Sequence, residues 1–384
     1  MRKRMRTIHI AEKIIMRKLQ ILLFILLFCT LTTYAQQKSG IKFRGSMYTD
    51  LGLLHTVHNS SKKDEADFAG MSVLSLNLKN TNRDYAKVEG LFDIVVPYGK
   101  TIERYIPENF TSDSDSSIGE LFELFSFGNA PVLLDVRKLY LSIYLPFADI
   151  TMGRQIINFG KGFVFSPVDV FSSVELTDIN YRRSGSDIVS IRIPFSDLAG
   201  LDLITELPFL DESFSVAVKM FATFSSFDFS LIGMYRDKGI STNLENEAVI
   251  GLTWKGDIEI GFYGEAVCHI LTDSSIAFFE GMIGADYSVK DIWYFTAEYL
   301  YKQYNWQNSI WGEHNLFGSV RYTINDLMNI SANAIYDFQH EVTIGILQWY
   351  YNILQNVNTI IYIQGVDNNT GQFLMYALRA EVKF

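Results

Sequence analysis

FLMYALRAEVKF, residues Phe373 to Phe384, reads differently on its two faces. At period two, Leu374, Tyr376, Leu378, Ala380, Val382 and Phe384 make one apolar face, and Met375, Ala377, Arg379, Glu381 and Lys383 make a largely charged one. This is a β-strand between two unlike surroundings. The same zigzag recurs upstream. In IKFRGSMYTDLGLL, Ile41 to Leu54, residues Ile41, Phe43 and Met47 oppose Lys42, Arg44 and Asp50, and in Ala86 to Val95 residues Val88, Phe92 and Ile94 oppose Lys87, Glu89 and Asp93.

The other end of the chain has a different character. Seven cations, from Arg2 to Lys18, precede an apolar run from Leu19 to Leu31, and Thr33-Tyr34-Ala35 offers a cut after Ala35. A basic segment, a short apolar segment and a small residue define a secretory signal peptide over residues 1–35, with Met16 as an alternative start. Cys29 leaves acylation as the other reading of this segment. Cleavage would remove seven of the 33 Lys+Arg and one of the 43 Asp+Glu, leaving 26 against 42, a balance of −16. So acidic an exported protein is no partner for nucleic acid. Of the two cysteines only Cys268 would remain, so no internal disulfide is expected. No later apolar run approaches 20 residues, and helical membrane spans are not expected.

Between the zigzag segments, short reversals alternate with longer polar connections. The short ones include Pro146-Phe147-Ala148-Asp149, Pro194-Phe195-Ser196-Asp197, Ser225-Ser226-Phe227-Asp228, Lys255-Gly256-Asp257 and Ile324-Asn325-Asp326, all rich in residues that favour tight turns. The long ones include Pro97 to Pro131, residues 158–186, Asp237 to Glu247 and Gln303 to Glu313. A soluble all-β fold would have to hide every apolar face in one core. Lipid removes that need, and closure removes the sheet edges. Residues 36–384 are therefore expected to form one single-chain transmembrane antiparallel β-barrel of about 18 strands, with 16 as the alternative, in the outer membrane of a Gram-negative cell.

With the apolar residues toward lipid, their alternates face the lumen, since a charge on the lipid side costs about 2–4 kcal/mol near the midplane. This rule assigns Glu259, Glu265, Glu280, Asp286 and Glu298 to an acidic pore-lining wall. It assigns Lys42, Arg44, Lys87, Lys138, Arg154, Arg192 and Arg379 to a basic one, with Lys79 and Lys383 beside them. Two such walls would set a transverse field across the channel.

The stretch TMGRQIINFGKGFVFSPVDVF, Thr151 to Phe171, is too apolar for a solvated loop. Its clustered glycines permit tight folding, Pro167 fixes a corner, and its apolar side chains need a surface to cover. Residues 158–186 are thus expected to fold into the barrel mouth as a constriction or plug, with Lys161, Asp169, Asp178, Arg182 and Arg183 as lining groups. The segment resembles a motif, roughly GRQ…(W/F)G.G..F(S/N)P.D.F, of porin-like outer-membrane proteins of Gram-negative bacteria, some grouped near polysaccharide-export porins. Phe159 stands where Trp is common, and Val168 where Thr is common. A chain ending in an aromatic strand also resembles the closing strand of such barrels, which implies recognition of Phe384 by the barrel-assembly machinery.

Outside the leader the histidines are His55, His58, His269, His314 and His340, without thiol or acid partners at metal-ligand spacing, and no GxSxG, HExxH or phosphate loop is present. No enzyme, cofactor or metal site is expected. The functional expectation is a porin-like channel for passive diffusion of small polar solutes. The alternatives are a non-conducting structural or adhesion barrel and a substrate-specific barrel, for instance for saccharide export or uptake. Membrane lipid, lipopolysaccharide and further copies of the chain are the other expected partners.

Overall fold

A computed structural model describes residues 40–58, 64–80, 85–102, 121–127, 130–172, 174, 178–179, 181–206, 214–237, 245–274, 276–303, 312–368 and 371–384. The expected signal peptide lies outside these. The strands run β1 (Ile41–His58), β2 (Glu65–Asn80), β3 (Ala86–Gly99), β4 (Leu121–Phe127), β5 (Ala130–Tyr144), β6 (Asp149–Gln155), β7 (Ser186–Ser196), β8 (Ala199–Glu206), β9 (Phe214–Phe224) and β10 (Phe227–Asp237). They continue as β11 (Glu247–Asp257), β12 (Gly261–Leu271), β13 (Ala277–Val289), β14 (Trp293–Lys302), β15 (His314–Asn325), β16 (Met328–Asp337), β17 (Val342–Leu354), β18 (Val357–Asn368) and β19 (Gly371–Lys383).

These form one antiparallel sheet in which β19 returns to β1. β3 pairs directly with β5. β4 pairs with the first residues of β5, on the edge that β6 occupies further down. Eighteen strands therefore make the closed wall, and β4 is an addition at its outer rim, within the stretch expected to be a long polar connection from Pro97 to Pro131.

Closure depends on the strand quoted first. Its register sets Asp50 opposite Arg379, and the guanidinium grips the carboxylate through two bonds of 2.7 Å with both side chains almost fully buried. The ring of Tyr48 lies 4.0 Å from the same guanidinium. Below them Phe384 and Gly45 exchange backbone hydrogen bonds of 2.7 and 2.8 Å. The Phe384 ring covers Gly45 so closely that a Cβ there would sit 2.3 Å from it.

The outer face is greasy, as the alternation requires. Leu51, Leu53, Val218, Met220, Leu231, Ile250, Ile283, Phe295, Leu347 and Leu378 are all exposed large apolar residues, a surface suited to lipid and not to water. Around the end with the short turns stand Phe43, Phe147, Phe195, Phe224, Trp293, Tyr322 and Phe384, an aromatic girdle of the kind found at a membrane interface. Some turn boundaries differ from the expectation. β11 runs through Asp257, and the reversal is Ile258 to Ile260, so Ile258 and Ile260 cap the barrel end rather than belong to a strand.

The inner face is less polar than alternation suggests. Ile188, Ile204, Ile232, Val249, Val267, Met282, Phe317 and Ile335 point inward and are buried. Something inside the barrel covers them.

Candidate functional site

That cover is the connection between β6 and β7. The chain leaves the wall at Gln155, crosses the lumen and rejoins it at Ser186, directly opposite in register. Phe159, Val168 and Phe171 pack on the inner faces of β7 to β12. Val164 and Phe165 pack on Tyr263, Met282, Leu300, Phe317 and Ile335, and Ile179 packs on β17 to β19. The loop therefore meets most of the circumference.

Two buried carboxylates hold it there. Glu265 on β12 accepts the backbone N–H groups of Lys161 (2.7 Å), Gly162 (2.9 Å) and Val168 (3.2 Å), and the hydroxyl of Ser166. Glu298 on β14 accepts those of Phe163, Val164 and Phe165, the last two at 3.0 Å, and the hydroxyl of Tyr263 at 2.8 Å. Each glutamate is 1% exposed. A buried charge is tolerable when several donors converge on it, and buried amides need acceptors, so each group satisfies the other.

The loop's own sequence makes this approach possible. A Cβ at Gly160 would stand 1.8 Å from Ser166 Oγ and 2.5 Å from Glu265 Oε1, and one at Gly162 1.7 Å from the Phe165 carbonyl oxygen. Pro167 follows Ser166 in a turn closed by Asp169 N–H on the Ser166 carbonyl at 3.1 Å. Asp169 turns back to accept the N–H groups of Phe159 and Gly160, and Arg183 from the returning limb pairs with it. The rings of Phe159 and Phe171 meet edge to face at 5.7 Å. The glycines, Ser166, Pro167, Asp169 and the aromatics of the motif are thus joined in one compact unit.

The opposite wall holds the returning limb. Arg182 pairs with Asp178 in the loop and reaches Asp93 on β3 at 3.3 Å. β5 carries one extra residue against β3 between Val136 and Lys138. This bulge turns Arg137 inward beside Lys138, where Arg137 donates to the Arg183 carbonyl at 3.2 Å and lies 3.8 Å from Asp93. On β17, Gln348 donates to the Ile179 carbonyl at 3.0 Å.

The remaining expected lining residues are dispersed. Glu259 is exposed in the Ile258–Ile260 turn, outside the wall. Glu280 lies 3.6 Å from Lys302, and Asp286 lies against Gly261 near the short-turn end. Lys161 extends from the loop to within 3.8 Å of Asp228. Arg154 pairs with Asp187, Arg192 with Asp202, Arg379 with Asp50, and Lys87 and Lys138 share Glu89. Neighbouring charges thus cancel locally across much of the wall, and Lys42 and Arg44 stand at the short-turn end of β1. His269 contacts Glu247 and stacks on Phe278 at 4.6 Å. Among the described residues no group of three or more His, Cys, Asp or Glu could hold a metal ion.

Sequence reasoning missed Tyr263, Phe317, Asp93 and Arg137 as groups that seat the loop. The signal for the apolar ones lay in strands such as LIGM in β10, greasy on both faces at mid-height, which implies packing on both.

No family model matches the chain, and no curated protein matches it. Solved structures do. The fold is that of an outer-membrane porin. OccAB4 of Acinetobacter baumannii is similar over 90% of this chain and 99% of its own, with a TM-score of 0.54 at 9% identity. OccK11 of Pseudomonas aeruginosa is similar over 89% and 96%, with a TM-score of 0.54 at 6% identity. At such identities the likeness of the porin fold concerns architecture alone.

Proposed function

We propose that this protein is an outer-membrane channel for small polar solutes in which the loop from 156 to 185 acts as a plug set across the lumen. The observation that carries this reading is the seating of the loop by Glu265 and Glu298. Six backbone amides converge on two buried carboxylates that a purely structural wall does not need. The apolar contacts around the loop favour a second reading, a barrel that never conducts. The twenty-residue motif supports kinship with porin-like proteins of Gram-negative bacteria, and Phe384 supports recognition by the assembly machinery.

Planar-bilayer recording separates the two readings. The unaltered protein is expected to show small or infrequent conductance steps, and Glu265→Ala with Glu298→Ala steps several-fold larger. A folded double variant as silent as a protein-free membrane would overturn the channel reading.

A further inference from the structure

Below the plug, toward the short-turn end, one sector of the inner wall differs in charge from the rest of the molecule. On β1, Lys42 lies directly across from Lys79 of β2, with Arg44 two residues further along the same face. Lys79 is in turn directly across from Glu89 of β3. Glu89 is already held by Lys87 at 2.8 Å and Lys138 at 3.7 Å, and also accepts the Tyr140 hydroxyl. On the other side of β1, Lys383 of β19 lies 3.5 Å from Glu381. Six basic side chains face two acidic ones, and the Phe384 carboxylate lies against Gly45 of β1, which leaves a local excess of about three positive charges in a chain whose side chains sum to −10.

Like charges directly opposite each other weaken a strand pair. Elsewhere on the wall Arg154, Arg192 and Arg379 each pair with an acid and Lys219, Lys255 and Arg321 each lie over an aromatic ring, whereas among the described residues Lys42, Arg44 and Lys79 have neither kind of partner. The sector extends over β19, β1, β2, β3 and β5, four interstrand spacings or about 19 Å. Charge spread that far exceeds the reach of a single small anion.

We infer that this sector is a binding site for a linear polyanion entering from the periplasmic side. The solute lies along the basic strip with its negative groups spaced down its length. The inference rests on the barrel and its orientation, and is independent of whether the plug opens.

Titration calorimetry on the full chain in detergent, with phosphate chains as probes, tests it. Long-chain polyphosphate should bind more than tenfold tighter than orthophosphate, poly-L-glutamate should bind as well, and neutral dextran should not. Affinity should fall as salt rises. Lys42→Gln, Arg44→Gln and Lys79→Gln combined should weaken polyphosphate binding at least tenfold, while Arg321→Gln elsewhere in the lumen leaves it unchanged. Heat-modified gel mobility establishes that each variant is folded, and Lys79→Arg should retain binding. Equal affinity for orthophosphate and the long chain, or unweakened binding by the triple variant, would overturn the site. Binding by a barrel that never conducts would retain this site and remove the channel reading.

Discussion

At the scale of single residues, two inward contacts carry disproportionate weight. Glu298 accepts three consecutive amides, and leaving one buried N–H without an acceptor costs about 1–3 kcal/mol. Glu298→Ala should therefore loosen the segment from Phe163 to Phe165. Limited proteolysis of the folded barrel should cut inside residues 156–185 faster in the variant, and an unchanged cleavage rate would contradict the anchoring role. The Asp50–Arg379 pair ties the first wall strand to the last. Removing one partner of such a buried pair costs about 3–5 kcal/mol, because the other charge stays behind. Arg379→Ala should lower the denaturant midpoint of the barrel accordingly, and Asp50→Ala with Arg379→Leu should recover part of the loss.

At the scale of elements, the β6–β7 loop is shaped by positions where any side chain collides. Gly162→Ala inserts a methyl group 1.7 Å from the Phe165 carbonyl oxygen and 2.7 Å from Met282 Cε, so the loop must unseat. Single-channel recording is expected to find larger steps than in the unaltered protein. A mature barrel with identical steps would show that the turn can absorb the methyl. Most wall strands were legible because period-two alternation and Asp- or Pro-bearing turns are local signals, as in β19 or at Pro146-Phe147-Ala148-Asp149. The plug was legible as an apolar, glycine-rich stretch in the wrong place. Its seat was not, because Glu265 and Glu298 read as ordinary lumen acids until long-range folding brings a loop 97 to 135 residues away onto them. The bulge at Arg137 does show in the sequence as a phase break, the apolar positions passing from Leu134 and Val136 to Leu139, Leu141 and Ile143 across two successive cations, which a strict period-two reading steps over.

At the scale of the molecule, stability comes from a wall whose outer surface is matched to lipid. Leu231 is 47% exposed on that surface, so Leu231→Arg should destabilise the barrel in bilayers by about 2–4 kcal/mol if it lies near the midplane. The same change should be far milder in detergent that admits water. Equal cost in both media would argue against a lipid-facing position. The interior follows a different logic, because the loop starts and ends at neighbouring points, Gln155 and Ser186. A flap hinged at one place swings, and its far edge moves furthest. That edge is the part pinned by Glu298, so unlatching would bare a crescent beside Tyr263, Leu300, Phe317 and Ile335. A polar solute using that gap would find few hydrogen-bond partners on that flank beyond the Tyr263 hydroxyl, and so would pass without being held.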